Sequence, residues 1–141
     1  ILLDDGNLSL IVESTNETDV ICSVVDGGIL KTNKGINLPG VNVSAPALSE
    51  KDRHDVEWAI ANQLDYVALS FVRRAEDVLQ LREIIRGSMS NIKIISKLEK
   101  PEALENLDEI IAASDGVMVA RGDLGVEVST EDVPLMQKRI I

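Results

Sequence analysis

Asp115-Gly-Val-Met-Val-Ala-Arg-Gly-Asp-Leu-Gly-Val-Glu-Val128 is the stretch that decides how this chain folds. It places a short apolar run, residues 117–120, directly before Arg121, Gly122 and Asp123. In a protein built on a parallel sheet, this order puts a carboxylate and a flexible backbone at the carboxyl end of a strand. Ligands of α/β proteins bind at that edge, so the stretch predicts an α/β fold and locates its site.

A second charged pair ends the preceding apolar run, Ile94-Ile-Ser-Lys-Leu-Glu99. Lys97 and Glu99 are two residues apart, and alternate residues of a strand point to the same side. With Asp123 on the next strand, they would supply two carboxylates and one ammonium, which suits a divalent metal and a phosphate group. The alternative is an ordinary solvated Lys–Glu pair. A strand covered by helices should carry charges only at its end, and both residues lie there.

After residue 46 the chain alternates between strand and helix patterns. Strands are predicted at residues 66–71, 92–98 and 117–120, and helices after Ser49, at 75–86, at 101–113 and after Thr130. Gly87 is the expected C-cap of the second helix. This alternation indicates βαβ units in a parallel sheet. Three strands cannot close an eight-stranded barrel, which takes roughly 250 residues, so we expect the chain to be a segment of a larger protein.

Residues 1–40 follow a different, β-rich pattern. Strands are predicted at residues 1–3, 8–12, 20–25 and 29–31, with hairpin turns at Asp4-Asp-Gly6 and at Gly27-Gly28. The segment that follows, residues 33–46, contains prolines and is predicted to be an extended linker. We therefore expect two parts, residues 1–40 and residues 41–141.

Composition narrows the classes of function. The chain has 141 residues and is 45% hydrophobic but only 2% aromatic, so its core must consist of aliphatic side chains, as in buried parallel strands. A net charge of −10 argues against nucleic acid as a partner and means that an anionic ligand needs a cation as intermediary. The lone Cys22 cannot form an internal disulfide, which favours the cytoplasm. No apolar run approaches the roughly 20 residues of a membrane span.

Asp123 has two interpretations when it is taken alone. An aspartate between glycine and leucine after a strand is often a turn or helix-cap residue. The alternative is a metal ligand beside free backbone N–H groups, because Gly122 lets the main chain approach a ligand and Gly125 is expected to open a short helical turn. Combined with Glu99 on the adjacent strand, oxygen ligation of Mg²⁺ is favoured.

Five other polar residues are weaker candidates. Ser70, near the end of the first parallel strand, is interpreted as structural, with pocket lining as the alternative. His54 is expected on the surface, and Cys22 is expected to be inert because it has no histidine partner in its segment. Asp4 and Asp5 are expected to be turn residues, with a contact to nucleotide as the alternative.

Six stretches occur in the same order as in one enzyme family. They are Asp4-Asp-Gly6, Lys34-Gly-Ile-Asn-Leu-Pro-Gly40, Leu48-Ser-Glu-Lys-Asp52, Ala68-Leu-Ser-Phe-Val-Arg73, Ile94-Ile-Ser-Lys-Leu-Glu99 and Gly116-Val-Met-Val-Ala-Arg-Gly-Asp-Leu-Gly-Val-Glu127. Through them the chain resembles pyruvate kinase over essentially its whole length. The resemblance implies that residues 41–141 are middle βα units of a (β/α)8 TIM barrel. Residues 1–40 would be the C-terminal part of a small β-barrel lid domain inserted in that barrel.

The resemblance also implies an activity for the complete protein. It would transfer phosphoryl from phosphoenolpyruvate to ADP in glycolysis, giving pyruvate and ATP, as a cytoplasmic homotetramer, with a plastid as the alternative location. Phosphoryl transfer depends mainly on positioning and charge neutralisation. The family's N-terminal arginine, its K⁺ ligands, the next barrel strand with its threonine and the C-terminal domain would all lie outside this segment. The segment is therefore not expected to turn over by itself.

Individual residues receive roles from the same resemblance. Glu99 and Asp123 would bind Mg²⁺, or Mn²⁺ in its place, and Lys97 would be the catalytic cation beside the transferring phosphoryl group of the bound substrate. The backbone at Gly122 and Asp123 would receive the substrate carboxylate. Arg121 would support this loop near a subunit contact.

Two other functions fit the same residues. A Mg²⁺-dependent lyase or aldolase acting on a pyruvate enolate also uses a Glu and an Asp at successive strand ends, but such barrels lack a lid like residues 1–40. An inactive binding or assembly module is the second alternative. Intact Lys97, Glu99 and Asp123 count against it.

Overall fold

The computed structural model describes residues 1–41 and 46–141, and its strands form two separate sheets. The first sheet consists of β1 (Leu2–Leu3), β2 (Leu8–Thr15), β3 (Val20–Asp26) and β4 (Ile36–Asn37). Its strands are antiparallel, in the order β3-β2-β1-β4. The second sheet consists of β5 (Tyr66–Leu69), β6 (Lys93–Leu98) and β7 (Gly116–Val119), which are parallel and lie in that order.

The turn between β1 and β2 forms at the residues predicted for it. Asp4 and Asp5 adopt φ angles of +52° and +57°, and Gly6 adopts +84°, a left-handed region that aspartate and glycine tolerate. The N–H of Asp4 donates to the carbonyl of Gly35 at 3.1 Å. The ammonium of Lys34 lies 2.6 Å from the Asp4 carboxylate, and its hydrogen bond holds the pKa of Asp4 below the ordinary value.

The prediction of a strand at residues 29–31 is wrong. Gly27 and Gly28 lack the positive φ that a two-residue hairpin turn requires, and no strand follows them there. Residues 16–19 connect β2 to β3 instead. The fourth strand is β4, inside the predicted linker, where Leu2 pairs with Asn37 and Leu3 pairs with Ile36. This pairing joins distant parts of the chain, so no local pattern reveals it.

Six helices accompany the parallel sheet in the described part of the chain. They are α1 (Glu50–Ala61), α2 (Ala75–Gly87), α3 (Pro101–Glu105), α4 (Leu107–Ala113), α5 (Arg121–Glu127) and α6 (Val133–Ile140). The order β5-α2-β6-α3-α4-β7, with parallel pairing, confirms the predicted βαβ units. Leu69 pairs with Ser96, and Leu98 pairs with Val119, so the carboxyl ends of the three strands lie along one edge.

Aliphatic side chains fill the space between this sheet and its helices, as the composition predicted. Each fully buried side chain of this kind contributes about 1.5–3 kcal/mol. The core therefore fixes the strand ends that carry the site. Its largest fully buried aliphatic side chains are Val72, Val78, Leu81, Ile94, Leu98 and Ile110.

The start of α1 agrees with the sequence. Ser49 is the N-cap, its hydroxyl accepts the N–H of Asp52 at 3.2 Å, and the Asp52 carboxylate accepts the N–H of Ser49 at 2.8 Å. This reciprocal capping box satisfies two donors that a helix start leaves open. The hydroxyl of Ser49 is also the main cause of the lowered pKa of Asp52.

Three other helix boundaries differ from the prediction. Gly87 is the last residue of helix α2, and Ser88, not the predicted Gly87, is its C-cap. The predicted helix at residues 101–113 breaks at Asn106, whose side-chain amide donates to the carbonyl of Arg73 at 3.0 Å. Asp132, not Thr130, precedes α6. Such end effects depend on tertiary partners that spacing does not specify.

Within the described residues, β5 and β7 each pair only with β6, so both edges of the parallel sheet are open. Across residues 1–41 and 46–141, no helix has the length and apolar character needed to span a membrane.

Candidate active site

The carboxyl ends of β6 and β7 bring the predicted site residues to one edge of the parallel sheet. Lys97 is the penultimate residue of β6, and Glu99 follows the strand directly. Asp123 lies in the first turn of α5, which begins almost immediately after β7. Because β6 and β7 are neighbouring parallel strands, the two carboxylates come from adjacent strand ends, as predicted.

Lys97 and Glu99 form an ion pair that is mostly withdrawn from solvent. The ammonium of Lys97 lies 2.5 Å from Oε1 of Glu99 and donates to Oγ of Ser70 at 3.0 Å. The Glu99 side chain is 1% exposed and that of Lys97 is 26% exposed. Burying a carboxylate is costly without a counter-charge and hydrogen bonds. The alternative of a solvated surface pair is therefore wrong.

The second oxygen of Glu99 holds a strained piece of backbone. Oε2 accepts the N–H of Phe71 at 2.9 Å, and Phe71 has a φ of +56°, a region that a bulky side chain seldom adopts. Strain of this kind costs on the order of 1–3 kcal/mol and is often found at functional sites. A hydrogen bond to a buried carboxylate offsets that cost. Glu99 thus fixes both Lys97 and the chain after β5.

Helix α5 carries unpaired backbone donors at its first turn. The N–H groups of Arg121, Gly122 and Asp123 come before the helix's first backbone hydrogen bond, which Leu124 donates at 2.9 Å. No side chain among the described residues caps them. The helix begins at Arg121, so the prediction that Gly125 opens it is wrong. This earlier start puts Gly122 and Asp123 where an anion is favoured by both N–H groups and helix dipole.

The side chains in this turn face solvent. Arg121 and Asp123 are exposed, and the side chain of neither forms a hydrogen bond or ion pair within the described part of the chain. No heavy atom would come within 4 Å of a Cβ added to Gly122. The turn therefore has open space and an available carboxylate.

A cavity of about 870 Å³ lies between the antiparallel sheet and the ends of the parallel strands. This volume is in the range of small-molecule sites, roughly 300–1,000 Å³. Ser70 is in the wall as well as bonded to Lys97, so its structural and pocket-lining interpretations both stay predictions. Polar residues of the wall include Asp5, Asn37, Ser70, Arg73, Lys100 and Asp123.

The remaining candidates lie as the sequence indicated. His54 is exposed on α1. Cys22 is a free thiol in β3, with only a weak contact to the carbonyl of Val20. Asp4 and Asp5 are in their turn, and the place of Asp5 in the cavity wall keeps its alternative role open.

Three residues at this site were not singled out from the sequence. The ammonium of Lys100 pairs with the carboxylate of Glu127, whose Oε1 also accepts the side-chain amide of Asn37 at 2.8 Å. Lys100 lies 5.8 Å from the ring centroid of Phe71. Asn37 and Glu127 are 90 residues apart, so spacing could not connect them. The only local sign of this cluster in the sequence was Glu127 itself, a negative charge at the C-terminal end of a short helix, where the helix dipole disfavours it.

Carboxylate oxygens, which Glu99 and Asp123 supply at this edge, are donors of the kind that a hard divalent cation takes. Residues 1–41 and 46–141 contain no cluster of three or more His, Cys, Asp or Glu side chains suited to a metal. Mg²⁺ does not require one, because it takes one or two carboxylates and completes its shell with water and substrate oxygens. Glu99 offers a carboxylate that the protein already holds in place, and Asp123 offers an open one.

Comparison with known proteins gives the family. The sequence model described as "Pyruvate kinase, barrel domain" matches residues 1–141. The pyruvate kinase of Mycobacterium tuberculosis is 53% identical over 141 residues, that of Clostridium perfringens 50% over 142, and that of Geobacillus stearothermophilus 49% over 144. Each alignment covers 100% of this chain, which spans 30%, 30% and 24% of those proteins. A match over the full chain by both comparisons shows that this chain belongs to the pyruvate kinase family.

Proposed function

We propose that the complete protein containing this chain transfers the phosphoryl group of phosphoenolpyruvate to ADP, giving pyruvate and ATP in glycolysis. The observation that carries this proposal is the buried Lys97–Glu99 pair at the carboxyl end of β6, beside the strand that leads to Asp123. The chain spans 30%, 30% and 24% of the length of the three relatives named above, so this activity is that of the complete protein. Residues 1–141 alone are not expected to turn over.

The proposal includes an architecture. Residues 41–141 supply middle βα units of a (β/α)8 TIM barrel, and residues 1–40 supply the C-terminal part of an inserted β-barrel lid. The open edges of β5 and β7 support a barrel that continues on both sides. The separate antiparallel sheet and the cavity beside it support a lid that closes over the strand ends.

In this mechanism, Lys97 is the catalytic residue. Its ammonium, directed by Ser70 and Glu99, lies beside the phosphoryl group and stabilises the charge that spreads over it during transfer. The N–H groups of Gly122 and Asp123 receive the substrate carboxylate at the start of α5. Arg121 supports this turn near a subunit contact of a homotetramer.

Glu99 and Asp123 would hold Mg²⁺, or Mn²⁺ in its place. The bound cation would neutralise phosphoryl and substrate oxygens, in addition to the ammonium of Lys97. K⁺ is part of the proposal through ligands outside residues 1–141. We also propose a cytoplasmic location, since the bacterial relatives named above give no support for a plastid.

The test is pyruvate formation by the purified complete protein, coupled to lactate dehydrogenase. Turnover should require phosphoenolpyruvate, ADP and a divalent cation together, and His54→Gln on the exposed face of α1 should behave like the wild type. Pyruvate released from another substrate without ADP would overturn the proposal in favour of a lyase or aldolase. Binding of phosphoenolpyruvate with no turnover would overturn it in favour of an inactive module.

A further inference from the structure

The cluster of Asn37, Lys100 and Glu127 joins the two sheets of the protein, and we call it the joint. Asn37 belongs to β4 in the antiparallel sheet, Lys100 follows β6, and Glu127 is the last residue of α5. Oε1 of Glu127 receives both the side-chain amide of Asn37, at 2.8 Å, and the ammonium of Lys100. One carboxylate oxygen therefore connects the antiparallel sheet, the parallel sheet and α5.

The position of Glu127 is unfavourable without these partners. Its side chain is only 4% exposed, and an unpaired buried carboxylate is strongly destabilising. A negative charge at the C-terminal end of a helix is also disfavoured by the helix dipole. Local sequence preference thus opposes a glutamate here, and the joint compensates for it. A residue held against its local preference is expected to serve the tertiary arrangement.

The joint lies one short helix away from the proposed metal ligand. Helix α5 has seven residues, with Asp123 in its first turn and Glu127 at its end. With seven residues at 3.6 per turn, α5 is only about two turns long, so a change at Glu127 acts close to Asp123. Lys100 adds a second connection, because it follows Glu99 directly and lies 5.8 Å from the ring of Phe71. The N–H of Phe71 in turn donates to Glu99.

We propose that Glu127 is a positioning residue, which couples the placement of the antiparallel sheet to the position of Asp123 through Asn37 and Lys100. When the antiparallel sheet is seated, Asn37 holds the end of α5 and its first turn stays in register with Glu99. When the sheet moves away, that hydrogen bond is lost and α5 loosens. The inference rests on the proposed function, in which Asp123 is a ligand of the divalent cation.

The test uses Asn37→Ala in the complete protein, because this change breaks the bond between the sheets and leaves the Lys100–Glu127 pair intact. Exchange of the hydrogen-bonded amides of α5, residues 124–128, measured without metal, should become faster. The Kd for Mn²⁺, measured directly by water-proton relaxation, should rise roughly five- to tenfold, the effect of losing one typical hydrogen bond. The kcat at saturating Mn²⁺ should stay within about twofold, since the reacting groups are unchanged.

Two further variants separate coupling from a general loss of stability. Asn16→Ala is the matched control, because Asn16 bonds only within its own hairpin, to the N–H groups of Thr18 and Asp19 and the hydroxyl of Thr18. It should leave both the exchange of α5 and the Kd for Mn²⁺ unchanged. In a Glu127→Ala background, Asn37→Ala should have no further effect, because its partner is gone. If Glu127→Ala fails to fold, Asn37→Ala carries the test by itself.

An unchanged Kd for Mn²⁺ in Asn37→Ala would overturn the inference, and so would losses that simply add in the double variant. The outcome is distinguishable from failure of the proposed function. If the wild-type protein forms no pyruvate but Asn37→Ala changes α5 exchange and Mn²⁺ binding as expected, the proposed reaction is wrong and the coupling stands. Normal pyruvate formation with no response in Asn37→Ala would remove the coupling alone.

Discussion

At the scale of single residues, the burial of Glu99 makes the charges of the site depend on one another. One of its oxygens faces the ammonium of Lys97, and the other accepts the N–H of Phe71. Because the Glu99 carboxylate is only 1% exposed, loss of either partner would leave one of its oxygens buried without a counter-charge or a hydrogen bond. Such a loss would destabilise the fold. The effects of substitution should therefore differ sharply between Glu99 and the exposed Asp123.

Lys97→Met in the complete protein should lower kcat by roughly 10²–10³ or more, the usual cost of removing a group that stabilises transition-state charge. Phosphoenolpyruvate should still bind measurably. Ser70→Ala is the milder comparison, because it removes only one neutral acceptor of Lys97 and should cost about tenfold or less. Coupled turnover and direct binding of phosphoenolpyruvate separate the two quantities. A loss confined to ground-state affinity would mean that Lys97 only holds substrate.

Asp123→Asn should act on the cation without disturbing the fold. The Asp123 side chain is exposed, so the free energy of unfolding should change by no more than about 0.5 kcal/mol. The Mg²⁺ concentration needed for half-maximal activity should rise, and the activity should fall by orders of magnitude. Glu99→Gln should lose activity and stability together, because it also breaks the ion pair with Lys97. Thermal unfolding and Mg²⁺ titrations of both variants check this. Wild-type Mg²⁺ dependence in either variant would remove that residue from the metal site.

At the scale of elements, short-range chemistry was predictable and long-range pairing was not. The capping box of Ser49 and Asp52 and the alternation of β5, α2 and β6 follow from residues close in sequence. Strand β4 was missed because its partner is β1, and the break at Asn106 was missed because its amide bonds to a distant carbonyl. The candidate site likewise has a part that was predictable from nearby residues and a part that was not.

The candidate site was predictable where it lies on two strand ends. Lys97, Glu99 and Asp123 follow apolar runs in the sequence, so their common edge could be predicted from the order of residues. The joint of Asn37, Lys100 and Glu127 was missed, because its members come from three elements that meet only in the folded chain.

A clamp between α2, β6 and β7 should give the molecule a measurable pH dependence. Arg82 donates to the Ala113 carbonyl at 2.7 and 3.1 Å and to Asp115 at 2.9 Å. The Asp115 carboxylate also accepts the N–H of Ile94 at 2.9 Å. The Ile94 N–H first, and then Arg82, hold the pKa of Asp115 below its ordinary value of 3.8. The stability it contributes is therefore fully present above pH 3.8 and is lost as the pH falls through the lowered pKa.

Asp115→Asn should destabilise the complete protein by roughly 0.5–1 kcal/mol at neutral pH, the contribution of a partly exposed ion pair. Asparagine keeps an acceptor for Ile94 and loses only the charge. The difference between variant and wild type, measured as the shift of the urea midpoint, should stay constant from neutral pH down to the ordinary pKa of 3.8 and narrow below it. A difference that grows on acidification would contradict this assignment.

At the scale of the whole molecule, both sheets leave edges or apolar faces uncovered within the described residues. Both edges of the parallel sheet are open in the described residues. The antiparallel sheet exposes large apolar side chains, among them Ile11, Val20, Ile21, Val24 and Val25. Apolar surface of this extent is unusual on an independent soluble domain and marks surfaces that pack against other structure.

Residues 1–141 produced alone should therefore associate with one another and bind a hydrophobic dye, whereas the complete protein should do neither to the same degree. Dye fluorescence and light scattering at equal molar concentration measure the difference. Substituting Val20 and Val24 by threonine, on the exposed sheet, should reduce the scattering of the isolated segment, because the hydroxyls lower the apolar area without a large change of shape. The segment should give no pyruvate in either form, since the groups outside it complete the proposed site. A monomeric, dye-free segment with full turnover would mean that the described strand ends form a finished site by themselves.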